Sequence, residues 1–273
     1  MSDALRLLAC QVVIPPMTRV AERDAHLAAQ AAKVSAALQE TPADLVVLPE
    51  LSSIDYARET FAELGTLAEP LDGPSFQCWG AVARAHDCHV CYSFPRVEDG
   101  RYYISIAVVG PDGALVGHYD KLHLAQYGAS MEKEYFDRGG QLLSFTVKGL
   151  TVAPIICYDI RIPELCRTLV LDHGVDLILH CGAYYRDESF ATWHDFTTTR
   201  ALENQVFLLS LNRAGTQYGN SRFCWPWMDE NTGPVQFPAH DEALKLITID
   251  PAVLGDAREN YSFLRDRLES YRL

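Results

Sequence analysis

The chain has 273 residues, 48% hydrophobic and 22% charged, the balance of a folded protein with material for one large core or two small ones. A formal net charge of −13 argues against nucleic acid or an anionic membrane surface as the partner. No apolar run approaches the roughly 18 residues a bilayer span needs, and the opening MSDALRLLACQVV lacks the basic segment and cleavage site of a signal peptide, so a cytoplasmic location is expected.

Eight cysteines stand at 10, 78, 88, 91, 157, 166, 181 and 224. Several lie inside apolar, strand-like runs of a chain with no export signal, so reduced thiols are expected rather than disulfides. Cys88-His89-Val90-Cys91 has no second cysteine pair to complete a zinc site and reads as buried strand.

In chain order, Leu5 to Val13 reads as a strand ending at Pro15-Pro16, and Val20 to Gln39 as an Ala-rich helix with apolar residues along one face. Asp44 to Leu48 is a short apolar strand of the kind buried on both faces. Helical patterns follow at Ala57 to Leu67 and at Ser75 to His86, the second opened by Gly73-Pro74. Val90 to Phe94, Tyr102 to Val109 and Leu115 to Tyr119 form a meander with a turn at Gly110-Pro111-Asp112-Gly113. Leu142 to Val147 and Leu150 to Cys157 predict a hairpin closed by Lys148-Gly149. Then come helix at Leu165 to Leu171, strand at Val175 to His180, helix at Ser189 to Asn204 and strand at Val206 to Leu211. Short strands near Ser221 to Cys224 and at Ala243 to Ile249 precede a charged, aromatic tail from Pro251. No repeat or flexible linker interrupts the alternation, which predicts one layered α/β domain over 1–273 with antiparallel additions.

Cys157 falls at the carboxyl end of a strand, before the turn Tyr158-Asp159-Ile160-Arg161 and a helix opened by Pro163-Glu164. Open α/β proteins display reactive groups there, and a helix dipole at that point favours a thiolate. The alternative is a strand-end thiol packed as a small hydrophobe. Three further positions change the balance. Glu50 ends the apolar run at Leu48-Pro49, and Lys121 sits among apolar and aromatic residues in Tyr119-Asp120-Lys121-Leu122-His123-Leu124. Met131-Glu132-Lys133-Glu134-Tyr135-Phe136 forms a charged loop before Gly139-Gly140. Each alone reads as a solvated or connecting residue, yet the set makes coherent chemistry. A thiol needs a base, and a glutamate in a water-poor pocket can serve. Attack on an amide carbon develops an oxyanion that an ammonium and a backbone N–H can stabilise.

On these motifs the chain resembles the nitrilase superfamily of carbon–nitrogen hydrolases over nearly its whole length. The glutamate motif is Leu48-Pro49-Glu50, the lysine motif Tyr119 to Leu124 and the nucleophile motif Ile156 to Glu164, in the family's order. Arg200 to Gln205 and Gly219-Asn220-Ser221-Arg222 are similar to further family landmarks. The resemblance implies a four-layer α-β-β-α sandwich in which Glu50, Lys121 and Cys157 converge as general base, oxyanion-stabilising cation and nucleophile. It implies Tyr158 as the backbone N–H of the oxyanion hole, and Glu132 as the second, orienting glutamate, with Glu134 the other candidate. It implies no metal or organic cofactor, and at least a homodimer that uses the outer helices and the tail from about 251. Tyr56, Arg161, His180, Cys181, Gly182, Ala183 and Tyr184 are the expected lining of the substrate pocket.

Cys157-Tyr158-Asp159 stands where true nitrilases usually carry Cys-Trp-Glu, so the string resembles amidase branches, including ω-amidases. A small linear amide is therefore the expected substrate, with nitrile or N-carbamoyl-amine hydrolysis, acyl transfer, or a non-catalytic scaffold as alternatives. One departure is His180-Cys181-Gly182-Ala183-Tyr184-Tyr185, where such amidases show a His-Pro-Ala-Ala type segment, so the particular amide does not carry over. A Cys–His hydrolase is the mechanistic rival, using His180 or His194-Asp195.

Overall fold

Successive side chains of a strand point to opposite faces, and β1 (Leu5–Gln11) sorts its residues accordingly. Leu5, Leu7 and Ala9 enter the core between two sheets, whereas Leu8 and Cys10 pack with Val34, Leu38, Trp79 and Val82 of covering helices. In this computed structural model, which describes residues 4–268, 270 and 271, both sheets have six strands.

The first half of the chain runs β1, α1 (Val20–Glu40), β2 (Leu45–Val47), single-turn helices α2 (Arg58–Phe61) and α3 (Leu64–Leu67), α4 (Pro74–His86), β3 (His89–Glu98), β4 (Arg101–Val109) and β5 (Leu115–Asp120). The second half runs β6 (Phe145–Val147), β7 (Leu150–Ile156), α5 (Pro163–Leu171), β8 (Leu177–Cys181), α6 (Phe190–Asn204), β9 (Phe207–Leu211), β10 (Arg222–Cys224), β11 (Val235–Gln236), β12 (Ala243–Ile249), α7 (Pro251–Asn260) and α8 (Phe263–Asp266). The sheet orders are β12-β1-β2-β3-β4-β5 and β11-β10-β9-β8-β7-β6. Each is built on a parallel trio, β1-β2-β3 or β7-β8-β9, with antiparallel strands on both sides. Helices α1 and α4 cover the first sheet, and Leu165, Leu169, Trp193 and Ala201 of α5 and α6 pack with the second. The layers are therefore α-β-β-α, as the resemblance implies. The two trios place their carboxyl-end loops where the sheets meet.

Three local readings change. The helix expected over 57–67 splits into α2 and α3 because Glu63 leaves helical geometry, at φ −99° and ψ 14°. The strand expected from Leu142 begins only at Phe145. The tail after Pro251 contains two helices, and the first carries an ordinary start signal: the Asp250 side chain accepts from the Ala252 N–H and Pro251 takes the first turn. Gln205 and Arg258 tie α7 to the body through hydrogen bonds to Ala257, Tyr261 and Asp176.

Burial makes a clean stability contrast. Leu179→Ala, at a fully buried β8 position, is expected to cost about 2–5 kcal/mol in chemical denaturation. Leu246→Ser, on β12 with 37% of its surface exposed, is expected to change stability by no more than about 0.5 kcal/mol.

Candidate active site

Leu48 makes the last inter-strand bond at this end of β2, to the carbonyl of Cys91, and Pro49 then has no N–H to extend the ladder. The chain leaves the sheet and Glu50 turns into the space between the layers, fully buried. Lys121 follows directly on β5, with Nζ 2.7 Å from Glu50 Oε1 and 2.6 Å from Glu132 Oε1. Both partners and the ammonium are inaccessible to solvent. Glu132 heads a one-turn 3-10 helix and accepts two further bonds, from the Tyr56 hydroxyl and the Ala125 N–H, each at 2.8 Å. The second oxygen of Glu50 accepts the N–H of Ala183, from the loop after β8, at 2.8 Å.

Two carboxylates around one ammonium leave one excess negative charge in a dry site. Burial opposes the charge on Lys121, but Glu132 and Glu50 together outweigh it and hold its pKa well above the ordinary lysine value. Burial, with Glu50 beside it, raises the Glu132 carboxyl despite the Lys121 contact. Burial followed by the Glu50 charge pushes the Cys157 thiol well above its usual pKa, against the smaller pull of Lys121 and the Ala183 N–H. This corrects the expectation of a thiolate favoured by a helix end. Cys157 heads its own 3-10 turn, Cys157–Arg161, and the local field is negative, so the resting group is a thiol.

Cys157 also has φ 45°, a left-handed conformation that costs a non-glycine residue about 1–3 kcal/mol. Its carbonyl accepts His180 Nε2–H at 2.9 Å and the Tyr184 hydroxyl at 2.8 Å. Asp159, two residues on, is fully buried and organises the turn. It accepts the Ile156 N–H, the Tyr119 hydroxyl, and both the N–H and ring Nδ1 of His123 at 2.7–3.0 Å. The segments that carry Lys121 and Cys157 are thereby joined through one carboxylate.

The remaining expected residues separate by position. Glu132 belongs to the buried cluster, whereas Glu134 pairs with exposed Arg58 at 2.5 Å. Tyr56, Ala183 and Tyr184 touch the cluster or the Cys157 backbone. His180 bonds the carbonyl of Cys157, and burial lowers its pKa to about 4, so it is neutral. Gly182 lets the Tyr184 ring fold back, since a Cβ there would stand 2.7 Å from Tyr184 Cδ2. Cys181 lies in the inter-sheet core, its thiol against that of Cys91, not in an open pocket. Arg161 is tied to α6, bonding Thr192 and the Ser189 carbonyl and lying over the Phe196 ring. His194 bonds the Asn220 carbonyl at 2.8 Å. Among the described residues no group of three or more His, Cys, Asp or Glu side chains could hold a metal ion.

Asn212 and Arg213 escape the sequence reading although they sit at the end of β9, the same kind of strand end as Cys157. The Arg213 guanidinium, almost fully buried, donates to the carbonyls of Glu50, Leu51 and Ile54 and pairs with Asp55 at 3.0 Å. Asn212 accepts the Tyr184 N–H and donates to the carbonyls of Tyr184 and Gly219. The second sheet thus braces the loop that carries Glu50.

A carbon–nitrogen hydrolase family model matches residues 8–258. An (R)-stereoselective amidase from a Pseudomonas species is 31% identical over 226 residues, covering 82% of this chain and 79% of that protein. Omega-amidase NIT2-B of Xenopus laevis is 27% identical, with 84% of each chain covered. The crystal structure of Saccharomyces cerevisiae Nit3, a member of branch 10 of the nitrilase superfamily, superposes with a TM-score of 0.82 at 22% identity over 95% of both chains.

Removing the ammonium tests the charge balance. Lys121→Met is expected to lower stability at pH 8 by about 3–5 kcal/mol, because two buried carboxylates lose their counter-ion. Burial already raises the Glu132 carboxyl above its unfolded pKa, so the penalty should shrink as pH falls through its folded value and it takes up a proton. Denaturation midpoints of variant and parent from pH 8 to pH 5 measure this.

Proposed function

The chain belongs to the carbon–nitrogen hydrolase family, and we propose that it hydrolyses a small linear carboxamide to the acid and ammonia through a thioester on Cys157. The observation that carries this reading is the fully buried Glu50–Lys121–Glu132 cluster beside a strand-end thiol in left-handed conformation. Because the resting thiol is protonated, attack requires a base, and Glu50 is the carboxylate whose charge the thiol feels most. Glu50 takes the sulfur proton as Sγ bonds to the amide carbon, and the carbonyl electrons move to oxygen. The Lys121 ammonium and the Tyr158 N–H stabilise that oxyanion. Collapse breaks the carbon–nitrogen bond as Glu50 returns its proton to the leaving nitrogen. Water, deprotonated by Glu50, then opens the thioester, and the proton goes back to sulfur. Glu132, with Tyr56 and Ala125, holds Lys121 in place.

Amide substrates, the ω-amide acids among them, fit the Cys157-Tyr158-Asp159 string and the activities of the amidase relatives. The reaction needs no metal and no organic cofactor. The bond pattern of His180 and His194 favours Glu50 over a Cys–His pair, since His180 engages the Cys157 carbonyl and His194 a distant backbone oxygen. Pairing of two copies is part of the same reading. A cavity of about 840 Å³ opens beside Leu171, Leu202, Trp227, Phe263 and Tyr271 on the outer side of α5 and α6, and Phe263 and Tyr271 are 46% and 72% exposed. Apolar surface of that kind is covered by a second copy in this proposal.

Mass spectrometry after exposure to small amides, ω-amide keto acids and nitriles should find an acyl adduct on Cys157 with amides. Glu50→Gln should lower kcat by about 10²–10⁴-fold, the usual weight of a general acid–base group, while His194→Ala stays near the parent. A dead His194→Ala beside an active Glu50→Gln would sink the scheme. Light scattering should give a mass of twice the chain or more, and Phe263→Glu should shift it toward the monomer.

A further inference from the structure

We infer that His180 and Tyr184 are positioning residues for the oxyanion hole, gripping the carbonyl of the very peptide whose N–H belongs to Tyr158. The inference rests on the proposed hydrolase reading. It assigns these two side chains to the nucleophile's backbone instead of to the substrate.

A peptide unit is planar, so fixing the direction of its C=O fixes the opposite direction of its N–H. The Cys157 carbonyl and the Tyr158 N–H are two ends of one such unit. Two buried donors meet at that carbonyl, His180 Nε2–H at 2.9 Å and the Tyr184 hydroxyl at 2.8 Å. Cys157 is held at φ 45°, where a non-glycine backbone is free to relax unless its surroundings prevent it. Two donors from the loop and strand of β8 supply that restraint. They also polarise the amide, drawing electron density toward oxygen and leaving its N–H a stronger donor.

The protons in this network can be placed by elimination. A carbonyl only accepts, so Nε2 of His180 carries hydrogen. The ring is neutral, which leaves Nδ1 as acceptor, 2.8 Å from Ser210 Oγ. Ser210 therefore gives its one hydroxyl proton to His180, and its oxygen accepts Trp193 Nε1–H at 2.9 Å. Trp193 only donates. Every bond from Trp193 through Ser210 and His180 thus points the same way, ending on the Cys157 carbonyl, and all three side chains are fully buried. The Tyr184 ring stacks on the same tryptophan, with centroids 4.5 Å apart and planes 11° from parallel. Gly182 leaves room for that ring. One indole therefore sets both donors, and the departure at Cys181-Gly182-Ala183-Tyr184 from the usual Pro-containing segment gains a physical purpose.

The test separates oxyanion stabilisation from thiol positioning. Alkylation of Cys157 by iodoacetamide displaces iodide at a saturated carbon and develops no oxyanion, whereas acylation by an amide does. Tyr184→Phe and His180→Leu should each lower kcat/KM for the amide found active with the parent by about 10- to 100-fold, somewhat less than loss of a direct oxyanion donor. KM should barely move, and the alkylation rate should stay within about 3-fold of the parent, since the donor that remains still restrains Cys157 and Glu50 is untouched. His180→Gln, which keeps an N–H donor, should recover part of the loss that His180→Leu suffers. Trp193→Phe, which removes the end of the chain and keeps the stacking ring, should give a smaller fall in the same direction. Thermal melts identify any variant that does not fold, and the conservative Tyr184→Phe and His180→Gln then decide. Parallel falls in turnover and alkylation would overturn the inference, as would unchanged turnover in all variants. A parent protein that acylates with no amide would overturn the hydrolase reading itself; variants equal to an active parent overturn only this one.

Discussion

One ammonium held between two carboxylates, all three shut away from solvent, is the constraint around which this structure is arranged. Each of the three charges would cost several kcal/mol if buried without partners. They are tolerated only because Lys121 meets Glu50 and Glu132 at 2.7 and 2.6 Å and the outer carboxylate oxygens are taken up by the Ala183 and Ala125 N–H groups. Those groups come from three separate connections, after β2 and β5 of one sheet and after β8 of the other. The cluster therefore exists only when the two sheets are packed, and the inter-sheet core is as much a part of the site as the charges are.

The unequal charge count has a consequence for reactivity. With two negative groups and one positive group nearby, the Cys157 thiol keeps its proton at rest. In the proposed reaction the nucleophile is made only when Glu50 accepts that proton, which couples thiolate formation to attack. Burial first, with the Lys121 and Arg161 charges adding to it, explains why a neutral His180, and not an imidazolium, is the group placed against the Cys157 backbone. A second buried cation there would contend with burial, whereas a neutral ring can donate one proton and accept another.

Much of this was legible from residues alone. The alternation of apolar runs located the parallel strands, because a strand covered on both faces has no polar positions to hide it. Glu50 and Cys157 stood out because each closes such a run, and Lys121 because it sits among apolar and aromatic residues. Other features were not legible. Glu132 and Glu134 occupy equivalent places in the sequence, yet one is buried against Lys121 and the other faces Arg58 at the surface. Cys181 reads like a pocket residue until β8 turns its side chain into the core against Cys91. Arg213 lies 163 residues from Glu50, and no local pattern links a guanidinium to the carbonyls of a loop that leaves the other sheet.

By itself, then, the sequence determined most of the elements, their layered class and the candidate residues of the site, because periodicity and strand-end placement are local properties of the chain. Only the tertiary structure decided which glutamate is buried, that the thiol rests protonated, and that His180 and Tyr184 turn to the Cys157 carbonyl. Those outcomes depend on distances of a few ångströms between segments far apart in the chain, and on the removal of water that occurs when two sheets close over them.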